Sequence, residues 1–190
     1  PVSFVTSTAL LIKTLLRLLI QLDASRKNFA AAAADSDALI KNPGSTMLDR
    51  FEHFRWQSRV DAAGAARSFA ALLQLRMTDE QHLQLLLRLT AWQSFAEAEQ
   101  VIPRLSPEFA VTQRAVIARA DLYFRGRKLD ALDAVLADPA LPKNDPFIEL
   151  WLARAARERA QTVRVQQHRS EEHKSELQSR VLISYAVFCL

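Results

Sequence analysis

Two stretches lying 34 residues apart constrain this chain more than anything else in it. Residues 94–102 read Ser-Phe-Ala-Glu-Ala-Glu-Gln-Val-Ile, and residues 128–136 read Lys-Leu-Asp-Ala-Leu-Asp-Ala-Val-Leu. In each, an apolar residue (Phe95, Leu129) opens a helix with small or aliphatic positions on one face and acids on the other. The same period runs along the chain. Helices are expected to begin near Ser25, Arg59, Ser94 and Lys128, in steps of 34, 35 and 34. Their partners are expected near Thr46, Thr78, Ser106 and Asp145, in uneven steps of 32, 28 and 39. One short amphipathic pair cannot bury its apolar face alone, whereas neighbours in a row share one core. The expected fold is therefore all-α, an α-solenoid of antiparallel helix hairpins with about four and a half repeats of ~34 residues.

Local signals place the elements. A first helix is expected over residues 4–22, apolar nearly all round from Leu15 to Leu22 and read as a buried helix. Lys13 and Arg17 interrupt its apolar run well short of the ~20 residues that span a bilayer, so no membrane association is expected. Ser25 reads as the cap of the next helix, which Pro43 and Gly44 end. Thr46 with Asp49 starts a third helix carrying Leu48, Phe51 and Phe54 on one face, and a fourth follows from about Arg59 with Gly64 inside it. Thr78 with Gln81, and Ser94 with Glu97, read as capping boxes. Ser106-Pro107 opens a helix expected to run unbroken to Phe124, and Gly126 is expected to make the turn that follows. Asp145-Pro146 starts a helix reaching about Ala160.

Tyr123, Gly126 and Ala131 carry a resemblance to the tetratricopeptide repeat, since the glycine and alanine fall where that family places its turn residue and the small residue of its second helix. In pattern the resemblance covers residues 5–165; in motif, one repeat. It implies a concave groove lined by the first helices, which takes a protein or peptide partner. The groove positions it implies are Asp79, His82, Gln113, Tyr123, Arg154 and Arg157. A non-catalytic binding scaffold is the expected function, with the helical-repeat portion of a larger enzyme, such as a transferase, as the alternative. A cytoplasmic setting is the expectation and a periplasmic one the alternative.

The last residues read differently. Residues 169–179 resemble the translation of a sequencing-library adapter, departing from it at Lys174, and residues 181–190 look like its usual continuation. Residues 1–168 are thus expected to form the repeat domain and 169–190 a non-native tail, with the natural chain cut mid-repeat and Pro1 marking a fragment. The single cysteine, Cys189, falls in that tail, so thiol chemistry is not expected of the domain.

The residues carry no pattern of catalytic, metal or cofactor chemistry. The four histidines are scattered, and Glu52-His53 has no second histidine one turn on, so no metal is expected. Asp35-Ser36-Asp37 lacks the glycine and glutamate of a calcium loop and reads as a solvated stretch near a helix end. The three glycines stand apart, so no phosphate loop and no cofactor are expected. The net charge of +4 is spread among interspersed acids, which argues against nucleic acid. Arg154, Arg157, Arg159 and Arg164 read as a solvated strip paired with Glu149 and Glu158. Trp56, Trp92 and Trp151 read as packing residues.

Overall fold

Capping side chains or a preceding turn set where most of the helices begin in the computed structural model, which describes residues 2–139, 141 and 146–163. The elements are α1 (Val2–Ser25), α2 (Phe29–Lys41), α3 (Met47–Val60), α4 (Ala62–Leu73), α5 (Asp79–Ala91), α6 (Phe95–Val101), α7 (Pro107–Ala110), α8 (Gln113–Arg125), α9 (Leu129–Leu136) and α10 (residues 146–163). A 3-10 turn over Ile102–Arg104 follows α6. No strand occurs among the described residues, and successive helices pack against their neighbours. The chain divides into two compact units, Pro1–Ser106 and Pro107–Leu190.

Two capping boxes form as the residues suggest. Gln81 N–H donates to Thr78 Oγ1 and the Thr78 amide to Gln81 Oε1; Asp49 and Thr46 exchange the equivalent pair. Ser94 does not cap through its side chain. Asn28 at nearly the same φ and ψ does accept from the Ala31 amide, so the difference is one of reach, the Ser94 hydroxyl being the shorter side chain. Ser25 ends α1 instead of starting α2, whose cap is Asn28. Asp61, two residues past Arg59, caps α4, accepting from the amides of Ala63 and Gly64. The helix expected from Ser106 breaks after Ala110, and Thr112 caps a new one. With that break, α3, α5 and α8 begin at 47, 79 and 113, in steps of 32 and 34, and α10 is described from 146. Their partners α2, α4, α6 and α9 begin at 29, 62, 95 and 129, in steps of 33, 33 and 34.

Three of the four hairpin connections share one turn. After α1, α5 and α8 the chain takes a single residue of positive φ: Lys27 at 60°, Gln93 at 63° and Arg127 at 56°. The next amide reaches back five residues in each case: Asn28 to Asp23 O, Ser94 to Leu89 O, Lys128 to Tyr123 O, all at 2.8–2.9 Å. The amide before it reaches back three, to Ala24, Thr90 and Phe124. This is the Schellman arrangement, which satisfies carbonyls that a helix end leaves unpaired. Gly126, expected to make the turn, has φ −74°; the left-handed position is Arg127, one residue on. The α3–α4 junction differs, being the single extended residue Asp61.

Each unit has its own interior. In the first, Ile20, Ala32, Ala33, Leu39 and Trp56 cluster with Leu16, Ala24 and Phe29. Leu83, Leu85, Leu86 and Leu89 of α5 are buried, as are Ala98 and Val101 of α6. In the second, Trp151 of α10 packs with Ala120, Leu132 and Leu136 and meets Phe124 edge-on at 5.5 Å. Phe51 and Phe54 are buried as expected, but Leu48 is exposed. α1 is not the buried helix its composition suggests. Ile20 is buried, while seven of its large apolar side chains face outward. At Gly64 an added Cβ would lie 2.8 Å from Gln57 Oε1 and 2.9 Å from Asp61 Oδ2, so the close approach there comes from a side chain of the neighbouring α3 and from the cap of α4 itself.

Candidate functional site

α1, α3 and α5 are first helices of successive hairpins, and charged side chains link them. Arg17 of α1 donates through Nε and Nη2 to the two oxygens of Asp49 on α3, both at 2.8 Å, and Nη2 also meets Thr46 Oγ1 at 3.3 Å. The Asp49 side chain is only 5% exposed and accepts from the Thr46 amide and hydroxyl as well. Burial pushes its carboxyl up, but the Arg17 and Thr46 hydrogen bonds and the Arg17 charge outweigh that and hold it below the usual carboxylate range. One turn on, Glu52 accepts from Arg55 on its own helix and from Arg88 on α5, each at 3.2 Å.

Arg55 is the centre of this face. Its guanidinium lies 4.7 Å from the centroid of Trp56 and 5.5 Å from that of Trp92, a cation held against two aromatic rings. Trp92 closes the C-terminus of α5, so the contact ties two hairpins together. Between these groups lies a cleft of about 310 Å³ lined by Arg17, Gln21, Leu48, Asp49, Glu52, Arg55 and Arg88, with Ile20, Leu39 and Trp56 as its apolar floor. The acids are already engaged. The described bonds use Nε and Nη2 of Arg17 but only Nη1 of Arg55 and of Arg88. A guanidinium carries five N–H donors, so Arg55 and Arg88 keep donors unused, and the three arginines leave this face one positive charge in excess of its two acids.

A second cleft, about 300 Å³, opens between α2, α3 and α4 beside His53. Ser36 Oγ donates to Ala33 O at 2.7 Å, which commits its one hydrogen. The 3.0 Å contact with His53 must then be Nδ1–H donating to Ser36 Oγ, which fixes the neutral tautomer. Burial pushes the imidazole below its ordinary value; Asp37 opposes this, while Lys41 and Arg50 add to it. The stretch 35–37 is thus mid-helix with Ser36 buried, and not a solvated helix end.

The six positions implied by the resemblance all lie on first helices. In the first unit, Asp79 and His82 stand one turn apart on α5. Asp79 accepts from the Ser106 amide at 2.9 Å and hydroxyl at 2.7 Å, which lower its pKa and pin the chain after the 3-10 turn. His82 is half-buried, its Nδ1 buried without a hydrogen-bond partner, and burial lowers its pKa, with Asp79 opposing and Arg104 adding. In the second unit, Gln113 is exposed at the start of α8, beside a small apolar cleft that Val116, Ile117 and Trp151 also line. Tyr123 packs against the Leu132–Trp151 cluster. Arg154 is exposed with its guanidinium 4.8 Å from the Trp151 ring centroid, and Arg157 is exposed on the same helix. The partners expected for the arginine strip also differ. Arg159 binds Asp133 and the Leu129 carbonyl of α9, while Glu158 pairs with Arg127. Arg164 lies outside the described residues, as do Asp145 and the tail from 169.

The residues that build the first-unit cleft were not singled out by the resemblance. The signal that could have found them is spacing: Arg17 to Asp49 is 32 residues and Glu52 to Arg88 is 36, each close to one period and opposite in charge. Among the described residues no helix is long and apolar enough to cross a membrane. No three His, Cys, Asp or Glu side chains among them gather as a metal site would require. Compared with known proteins, the chain matches no family model, no curated protein and no solved structure.

Proposed function

We propose that this chain is a tetratricopeptide-like array of helical hairpins, about four and a half repeats long, acting as a non-catalytic scaffold that binds an acidic peptide segment of a protein partner. The recurrence of helix starts at intervals of 32–34 residues supports the array. The observation that carries the binding reading is the cleft across α1, α3 and α5, where Arg17, Arg55 and Arg88 outnumber Asp49 and Glu52 and both acids already pair with arginine. An extended acidic segment crossing the three helices would place carboxylates on Arg55 and Arg88 and an apolar side chain on Leu48. Charge-assisted bonds from arginine to carboxylate are short and directional, which suits peptide recognition.

The test is selection of displayed 12-residue peptides on the immobilised 190-residue protein, followed by fluorescence anisotropy with the winners. Asp/Glu-rich winners are expected, with affinity falling as salt rises. Arg55→Ala and Arg88→Ala should each weaken binding about 10-fold without loss of helical circular dichroism. Winners that bind both variants as tightly as the parent, or random oligonucleotides that outcompete the peptides, would remove this reading.

A further inference from the structure

Seven of the fourteen exposed large apolar side chains among the described residues lie on one 13-residue stretch of α1. A scattered exposed leucine needs no explanation, whereas a contiguous set on one helix face marks a contact surface. Leu11, Leu15, Leu18 and Leu22 are its centre, 44–63% exposed, with Leu19 and Ile12 alongside. Their spacing is 4-3-4, which at 100° per residue places them in a narrow arc. The opposite arc carries Leu16, Ile20 and Ala24, which pack into the first unit. α1 therefore has two apolar faces and a protein partner for one of them.

Three features identify what covers the other. The 4-3-4 seam is that of helix against helix, with each side chain seated between those of the facing helix. The charged residues of α1, namely Lys13, Arg17 and Asp23, lie off this face, with Lys13 bound to Gly44 O and Arg17 to Asp49. An interfacial membrane helix instead carries free Lys and Arg beside its apolar stripe. The seam is also symmetric end to end. When two copies of α1 run antiparallel, Leu15 of each faces Leu18 of the other, and Leu11 faces Leu22. That is the self-complementarity a two-fold contact requires, and with no charge on the face no like-charge repulsion opposes it.

We propose that the outward face of α1 is the interface of a homodimer in which two copies pair antiparallel about a two-fold axis between Leu15 and Leu18. About that axis residues 8–25 of α1 overlap in the two copies, 18 residues or about 27 Å, which supplies the apolar centre of an interface whose standard size is ~800 Å² per partner. The contact is separate from the peptide cleft, so either reading can fail alone.

Sedimentation velocity on the full chain tests it. The parent should show a concentration-dependent species of twice the monomer mass below about 100 μM. Leu15→Glu with Leu18→Glu should weaken it at least ~100-fold while leaving helical circular dichroism unchanged, because both side chains are exposed in the single copy. Leu15→Glu with Leu18→Lys should recover much of the association, since the antiparallel arrangement brings unlike charges together and a parallel one brings like charges together. A monomeric parent, a dimer insensitive to the paired glutamates, or a Glu/Lys variant no better than Glu/Glu overturns the proposal. So does a parent that stays monomeric in solution yet floats with neutral phosphatidylcholine vesicles.

Discussion

Arg17 and Asp49, 32 residues apart, form a two-pronged ion pair in which one partner is nearly buried and the other is not. Asp49 serves two ends at once, closing the capping box of α3 and receiving the guanidinium of α1. The asymmetry of exposure decides which half matters more. Arg17→Met strands a carboxylate that is 5% exposed and should cost about 2–3 kcal/mol. Asp49→Asn leaves the Thr46 cap in place, keeps an amide oxygen for the Thr46 N–H and frees the arginine to turn toward water, and should cost about 1 kcal/mol. Urea unfolding of both variants checks the order, and equal costs would count against it.

The same carboxylate sets an acid limb. Its folded pKa lies below the unfolded value of about 3.9, so its contribution is fully present above that value and is lost as pH falls through the folded pKa. The stability difference between the parent and Asp49→Asn should therefore be constant from pH 7 to pH 5 and shrink below about pH 4. Urea titrations at pH 7, 5 and 3 measure it.

His53 acts in a different window. Burial lowers its folded pKa below about 6.5, so the unfolded chain takes up a proton first, and stability falls as pH drops from about 6.5 toward the folded value. The slope from one such group is at most ~1.4 kcal/mol per pH unit. His82 is shifted the same way, so His53→Gln should flatten the decline between pH 7 and 5 in part and not abolish it.

The turn after α8 holds its glycine one residue early. Gly126 sits at φ −74°, which any residue adopts, and Arg127 at φ 56°, which costs a side-chain-bearing residue about 1–2 kcal/mol. Exchanging them by Gly126→Ala with Arg127→Gly should stabilise by about 1 kcal/mol and raise Tm by roughly 2–4 °C. A lowered Tm would show that Arg127, which also pairs with Glu158, contributes more than its backbone costs.

Burial separates two positions that look alike in sequence. Leu86 is wholly buried, and Leu86→Lys should cost about 4 kcal/mol, because the charge has no route to water. Ile117 is half-buried beside the α8–α10 cleft, and Ile117→Lys should cost only about 1–2 kcal/mol, since the long side chain can reach solvent. Thermal melts of both variants decide it.

Much of the helical order was legible because caps and apolar spacing are local. Thr78 needs only Gln81 to begin a helix, and Thr46 only Asp49. The break at Thr112 was not legible: nothing in Val111-Thr112 excludes a helix, and the Ser106-Pro107 signal upstream is stronger. Ser94 misled for the opposite reason: it has the right neighbour in Glu97, yet after the left-handed Gln93 its short side chain makes no cap bond, where the longer Asn28 after Lys27 does. The cleft was hidden because its pairs join residues about a period apart, and a charge shows its sign in a sequence but not its partner. Leu48 was misjudged on the same ground. Its spacing to Phe51 is helical, but the neighbour that would cover it lies outside the helix.

The Arg55 guanidinium held against Trp56 and Trp92 gives the proposed groove an optical consequence. An occupant that draws the cation away alters the field around two indoles at once, while Trp151, in the other unit, supplies a steady background. Intrinsic emission should then report occupancy without any label, and the protein carries its own gauge.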